Sequence, residues 1–283
     1  MEIIVAKSAG FCFGVKRAVD MVYEQLSAGQ KIYTFGPIIH NDVVVSDLKA
    51  KGVTVINDES EIRDINGGTI IIRSHGVTKK AFEMLEASGA KVIDATCPFV
   101  KKIHNIVSER SANGDRIVVI GNRSHPEVRG IVGWCRNEEA FVLESADEAC
   151  DFECDKNDTL TVVSQTTSSV RKFKELVEIL QGKGYNVNVV NTICNATDTR
   201  QEEARQIAST VDMMIVIGDR KSSNSQKLYE ICSRECSCTE FVQTSDELET
   251  DPQRSLRRVG ITAGASTPQK IIEEVQNYVR INF

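Results

Sequence analysis

Apolar positions in this chain fall into short unbroken runs, separated by longer stretches whose apolar residues recur at helical spacing. The runs at 32–35, 69–72, 117–120, 161–163, 214–217 and 260–263 carry almost no polar alternation, as expected of strands covered on both faces of a parallel sheet. Helical period occupies the stretches near 14–27, 78–88, 98–113, 168–181, 198–209, 222–233 and 268–280. Strand and helix therefore alternate from end to end, which predicts an α/β fold with mostly parallel sheets. The acidic stretch 144–158 breaks this rhythm and reads as a surface insertion.

The pattern also repeats. Cys12, Cys97 and Cys194 each precede a helix, and a glycine lies 24 residues after each of them, at Gly36, Gly121 and Gly218. An apolar strand runs into each glycine. Four residues beyond it stands a group able to bind an anion or carry a proton, His40, His125 or Ser222, and an amphipathic helix follows. A second strand-to-helix junction closes each copy, at Ser74-His75, Gln165-Thr166-Thr167 and Ala265-Ser266. The joint recurrence of strand, turn, polar group and helix marks internal repetition. It predicts three pseudo-threefold-related α/β modules over 1–90, 91–185 and 186–283, joined at Ser88-Gly89-Ala90 and Gly182-Lys183-Gly184.

Composition narrows the function. At 283 residues and 41% hydrophobic content the chain can form sizeable cores. With 34 basic against 40 acidic residues and no long basic stretch, it lacks the charge that a nucleic-acid surface needs. No signal-peptide pattern and no apolar run of spanning length is present, so a cytoplasmic protein without membrane contact is expected. Nine cysteines in a reducing compartment read as free thiols or metal ligands, not disulfides.

Singly, each repeat cysteine would pass for a small buried hydrophobe. At three matched helix starts, where backbone N–H groups and the helix dipole stabilise a thiolate, the set reads as ligands of one centre. Three thiolates around a pseudo-threefold axis suit an iron-sulfur cluster with one iron lacking a protein ligand. Closer spacings, Cys150 with Cys154 and Cys232 with Cys236 and Cys238, leave a zinc site open as a rival, although no second pair stands nearby at ribbon spacing. Cys135, beside the sole tryptophan, Trp134, reads as packing.

Three of the four histidines, His40, His75 and His125, occupy strand-to-helix turns, while His104 sits within a helical stretch and reads as structural. Ligands of open α/β sheets bind beyond the carboxyl ends of the strands. Ser74, Thr166, Thr167, Ser222, Ser223, Asn224 and Ser266 share this placement. Each alone would be an N-cap; together with the histidines they make a cradle for an anion such as a diphosphate, without the Gly-rich P-loop. Glu127, in the first turn of its helix, is either a favourable dipole partner or a proton donor.

The segments Ala9-Gly10-Phe11-Cys12-Phe13-Gly14, Gly36-Pro37-Ile38-Ile39-His40-Asn41, Arg73-Ser74-His75-Gly76, Asp94-Ala95-Thr96-Cys97-Pro98, His125-Pro126-Glu127, Ser164-Gln165-Thr166-Thr167, Ser222-Ser223-Asn224-Ser225 and Thr262-Ala263-Gly264-Ala265-Ser266 together resemble the signature set of the 4-hydroxy-3-methylbut-2-enyl diphosphate reductases, over nearly the whole chain. The resemblance implies three α/β modules closed around one 4Fe-4S cluster, and reductive removal of the substrate's C4 hydroxyl to give isopentenyl and dimethylallyl diphosphates. It implies that Cys12, Cys97 and Cys194 ligate three irons and that the open fourth iron takes the substrate oxygen. His40, His75, His125, Ser222, Ser223, Asn224 and Ser266 would grip the diphosphate. Thr166 and Thr167 would stand near the hydroxyl, and Glu127 would help protonate the departing water. With no nicotinamide or flavin fingerprint in the chain, electrons would come from an external donor such as ferredoxin or flavodoxin.

Two other classes remain open at this level. A thiol-based or zinc-stabilised redox sensor would use the cysteines and leave the cradle without purpose. A non-catalytic diphosphate-binding module would use the cradle and survive loss of Cys12.

Overall fold

The structure, a computed structural model, describes residues 1–65, 67–249 and 256–283. From the start of the chain, β1 (Glu2–Val5) leads through a loop to α1 (Phe13–Ser27). There follow β2 (Ile32–Phe35), α2 (Asp42–Ala50), β3 (Thr54–Ile56), β4 (Thr69–Ile72), α3 (Lys79–Glu86) and β5 (Lys91–Asp94). The next round has α4 (Pro98–Ala112), β6 (Arg116–Ile120), α5 (Pro126–Gly133), β7 (Ala140–Leu143), α6 (Ala146–Asp151), β8 (Thr159–Ser164), α7 (Val170–Gly182) and β9 (Asn186–Val189). The last has α8 (Asn195–Ala208), β10 (Met213–Ile217), α9 (Ser223–Glu235), β11 (Thr239–Val242), β12 (Arg258–Ala263) and α10 (Gln269–Asn282).

These strands form three four-stranded sheets, ordered β3-β2-β4-β5, β7-β6-β8-β9 and β11-β10-β12-β1, and every pairing among the described residues is parallel. The strand order is the same in all three once β1 is counted as the fourth strand of the last sheet. The α/β architecture with parallel sheets expected from the hydrophobic pattern is what the chain adopts. Each sheet draws its fourth strand from the segment that runs into the next cysteine: β5 precedes Cys97, β9 precedes Cys194, and β1 precedes Cys12. Sheet membership thus reaches past residues 90 and 185, where spacing alone divides the modules.

Central strands bear out the unbroken apolar runs. Ile70, Ile71 and Ile72, Val118, Val119 and Ile120, and Ile215, Val216 and Ile217 are all fully buried, because helices cover both sheet faces. Two compact units result. One comprises Met1–Lys16, Ile39–Asp47 and Asn195–Phe283, and carries the third sheet; the other comprises Arg17–Ile38 and Leu48–Cys194, and carries the first two.

The stretch 144–158 is no insertion. Ser145 caps α6, accepting from the Glu148 N–H, and Ala149 and Phe152 are buried in the core with Leu143, Leu160 and Tyr185. A 3-10 turn stands in the same place in the other two rounds, at Glu59–Asp64 and Ser245–Glu247, so α6 is the second round's version of a repeated element.

Candidate active site

The repetition extends to individual hydrogen bonds. Each repeat cysteine donates its backbone N–H to the turn after the second central strand: Cys12 to Ala265 O (3.2 Å), Cys97 to Ser74 O (2.9 Å) and Cys194 to Thr166 O (3.0 Å). Each repeat glycine likewise donates its N–H to the last residue of the neighbouring edge strand: Gly36 to Ile56 O, Gly121 to Leu143 O and Gly218 to Val242 O. Equivalent turns are therefore fixed in equivalent ways. None of the nine cysteines forms a disulfide, and Cys12, Cys97 and Cys194 are each half-buried immediately before or at the cap of α1, α4 and α8. Three ionisable sulfurs at helix starts make a donor set that fits an iron-sulfur cluster.

In the larger unit the strongest chemistry gathers at the start of α5. Pro126 occupies the first helical position, where its missing N–H costs nothing, and His125 caps the helix with Nδ1 accepting from the Glu127 N–H (3.2 Å). A neutral imidazole with Nδ1 accepting carries its proton on Nε2. The His75 ring stands edge-on to it, with centroids 5.5 Å apart. The indole of Trp134, at the far end of α5, donates to Val77 O (2.9 Å) and so ties the segment after His75 to the helix that His125 caps.

Glu127 is only 3% exposed. Thr166 holds both of its carboxyl oxygens, donating its N–H to Oε1 (2.7 Å) and its hydroxyl to Oε2 (2.9 Å). Burial pushes the carboxyl up to about 7 against the pull of the two Thr166 bonds, which favour the anion. Desolvation outweighs both bonds here. Thr167 lies half-buried beside it. Ser74 is buried, its hydroxyl donating to Ile38 O (3.0 Å).

The smaller unit holds the rest. Ser222 caps α9, its hydroxyl accepting from the Ser225 N–H (3.3 Å), and Ser223 is half-buried in the first turn. Asn224 is 4% exposed, yet neither its amide oxygen nor its amide nitrogen has a hydrogen-bond partner among the described residues. Such an orphaned buried amide at a helix start is what an anion or polar ligand would satisfy. Ser266 donates its hydroxyl to His40 O (2.8 Å), joining two residues that lie 226 apart in the chain.

Asp219 did not stand out in the sequence. Buried at 2% exposure, it accepts from the backbone N–H groups of Asp42 (2.9 Å) and Lys221 (2.7 Å), and Lys221 Nζ bonds to Asp42 Oδ2 (2.7 Å). It thus ties the turn after His40 to the turn before Ser222. The available signal was its position directly after a repeat glycine, where Asn122 in the second round likewise accepts from a turn N–H.

His104 is structural, as expected. It is buried in α4, stacked on Trp134 at 5.2 Å and 14°, and burial pushes its imidazole down to about 4. Cys135, Cys232 and Cys236 are buried core residues, the thiols of Cys135 and Cys232 being pushed up to about 12 by burial. Among the described residues no helix is long and apolar enough to cross a membrane.

Comparison with known proteins agrees with this layout. Residues 3–280 match the model of the family described as LytB protein. The 4-hydroxy-3-methylbut-2-enyl diphosphate reductase of Caldanaerobacter subterraneus subsp. tengcongensis is 46% identical over 277 residues, covering 97% of this chain and 95% of the relative. The reductase of the same name from Clostridioides difficile is 42% identical over 280 residues, covering 99% of each. A solved structure of (E)-4-hydroxy-3-methyl-but-2-enyl diphosphate reductase, described as the terminal enzyme of the non-mevalonate pathway, is 42% identical with a TM-score of 0.70, covering 99% of each chain. The Plasmodium falciparum reductase structure is 28% identical with a TM-score of 0.90, covering 99% of this chain and 87% of that one.

Proposed function

As a member of the LytB protein family of 4-hydroxy-3-methylbut-2-enyl diphosphate reductases, this chain is an oxidoreductase of the non-mevalonate isoprenoid pathway, and we propose that it expels the C4 hydroxyl of that diphosphate as water with Glu127 as proton donor. The products in this reading are isopentenyl and dimethylallyl diphosphates.

The Glu127–Thr166 pair carries the reading. Expelling a hydroxyl as water requires a proton on its oxygen, and a general acid works best with a pKa near the operating pH. A buried carboxyl raised to about 7 is half protonated at neutrality, whereas an ordinary glutamic acid would hold almost no proton there. Thr166 fixes both oxygens and so sets the direction in which the proton leaves. Thr167, next in the chain, serves the same end of the substrate.

His40, His75, His125, Ser222, Ser223, Asn224 and Ser266 bind the diphosphate in this reading. The support is the unsatisfied Asn224 amide, the Nε2–H that His125 retains while capping α5, and the anion preference of helix starts. Cys12, Cys97 and Cys194 would hold a 4Fe-4S cluster; half-buried cysteines outside any disulfide, at three equivalent turns, fit that role. When bound, such a cluster supplies electrons and, at the iron without a protein ligand, Lewis acidity. The two electrons originate with an external carrier of the ferredoxin or flavodoxin kind.

Protein purified without oxygen should contain about four iron and about four acid-labile sulfide per chain. Glu127→Gln should keep both and retain substrate affinity, while turnover falls about 100-fold or more. Colourless protein without iron, even after anaerobic reconstitution, would remove the cluster; near-normal turnover of the variant would remove Glu127.

A further inference from the structure

The loop that delivers Cys12 belongs to no strand or helix, from residue 6 to residue 12, yet its backbone is pinned. Glu203 accepts from the N–H groups of Lys7 and Ser8 (both 2.8 Å) and from the Ser8 hydroxyl (2.5 Å). Arg200, 3% exposed, donates twice to Ser8 O (2.8 and 2.5 Å) and once to Gly10 O (2.7 Å). Both side chains come from α8, three residues apart and so on one helix face. Gly10, at φ +96, is in a conformation that side-chain-bearing residues rarely adopt, and its carbonyl is held two residues before Cys12.

The chemistry of this clamp is specific. A buried guanidinium is costly unless its N–H groups are satisfied, and here three of its bonds go to main-chain carbonyls of one short segment. Carboxylate and guanidinium take opposite polarities of the same loop: Glu203 collects N–H groups at residues 7 and 8, Arg200 collects carbonyls at 8 and 10. Charge-assisted bonds are the stronger class, so between the backbone bonds at its two ends, Ala6 N–H to Ile261 O and Cys12 N–H to Ala265 O, the loop is fixed by these two side chains.

We infer that Arg200 and Glu203 are positioning residues that hold the Cys12 loop in its cluster-binding conformation. The inference rests on the reading of Cys12 as a cluster ligand. Loosening the clamp should release Cys12 selectively, whereas general destabilisation would expose all three cysteines alike.

The test uses anaerobic holoenzyme challenged with an iron chelator in the presence of iodoacetamide, with alkylation of each cysteine followed by peptide mass spectrometry. Arg200→Met should raise the initial alkylation rate of Cys12 about tenfold, the scale of losing charge-assisted bonds, while Cys97 and Cys194 keep wild-type initial rates. Arg200→Lys, which keeps the charge with fewer donors, should restore part of the difference. Glu203→Gln, at a less buried position, should give a smaller selective rise and keeps the test in hand if Arg200→Met folds poorly. An equal rise at all three cysteines, or none at Cys12, overturns the clamp. Cys12→Ala with full iron and sulfide would instead overturn the ligand assignment itself; loss of iron in Cys12→Ala alongside silent clamp variants would overturn the clamp alone.

Discussion

Glu127 allows the physical reasoning to be tested without turnover. Its carboxyl keeps its proton up to about 7 in the folded protein against an ordinary value of 4.5, a difference that corresponds to about 3 kcal/mol favouring the protonated form. Between those two values the folded state binds the proton and the unfolded state has released it. Stability conferred by this group is therefore intact below about pH 4.5 and is lost as pH rises through 7. Glu127→Gln keeps the size and one acceptor for Thr166 and cannot ionise. The variant should gain on the wild type by about 3 kcal/mol between pH 4.5 and pH 8, measured by urea unfolding at matched pH under anaerobic conditions. The same carboxyl should show a protonated C=O stretch in infrared difference spectra of wild type against variant, titrating near pH 7. A pH-independent stability difference, or a carboxyl that titrates below pH 5, would refute the claim that desolvation dominates the two Thr166 hydrogen bonds.

His104 works in the opposite sense: its imidazole is pushed from 6.5 down to about 4 by burial, so its contribution is intact above about pH 6.5 and about 3 kcal/mol is lost as pH falls toward 4. His104→Phe, which keeps the stack on Trp134, should remove that acid sensitivity in denaturation measurements. His125→Ala should weaken diphosphate affinity by about tenfold and cost α5 about 1 kcal/mol of capping, read by substrate titration and thermal unfolding. Asp219→Asn, which retains one of two acceptor oxygens, should raise KM by about tenfold with iron content unchanged, since it holds turns and touches no cysteine.

The threefold plan could be read from the chain because repeated element lengths keep the cysteine, the glycine and the polar turn residue in fixed spacing. The central strands were equally plain, being buried on both faces. Edge strands were harder: Thr54–Ile56, Ala140–Leu143 and Thr239–Val242 are short and half-buried, and each pairs in parallel with the strand before it across an intervening helix, which leaves no hairpin signal. Acidic composition masked α6, whose buried residues are only Ala149 and the following Phe152. Glu127 could be picked out as a proton donor, but its raised pKa depends on burial and its fixed orientation on Thr166, 39 residues away, neither of which has a local signature. Arg200, Glu203 and Asp219 were missed for a related reason. They act on backbone groups of distant turns, and a backbone N–H or carbonyl looks the same at every position in a sequence.

Strand β1 takes its place beside β12, with Glu2 opposite Arg258 and Val5 opposite Ile261. Synthesis at the usual pace of about 5–20 residues per second separates these partners by roughly 10–50 seconds. Throughout that interval the first strand has no ladder to join, and Cys12 lacks both the Ala265 carbonyl that anchors its N–H and the α8 side chains that pin its loop. If Cys12, Cys97 and Cys194 hold one cluster, as proposed, the first of them to leave the ribosome is the last to acquire its scaffold. On that reading, cluster assembly would follow synthesis of the nearly complete polypeptide, and Cys12 would pass through synthesis as an unshielded thiol.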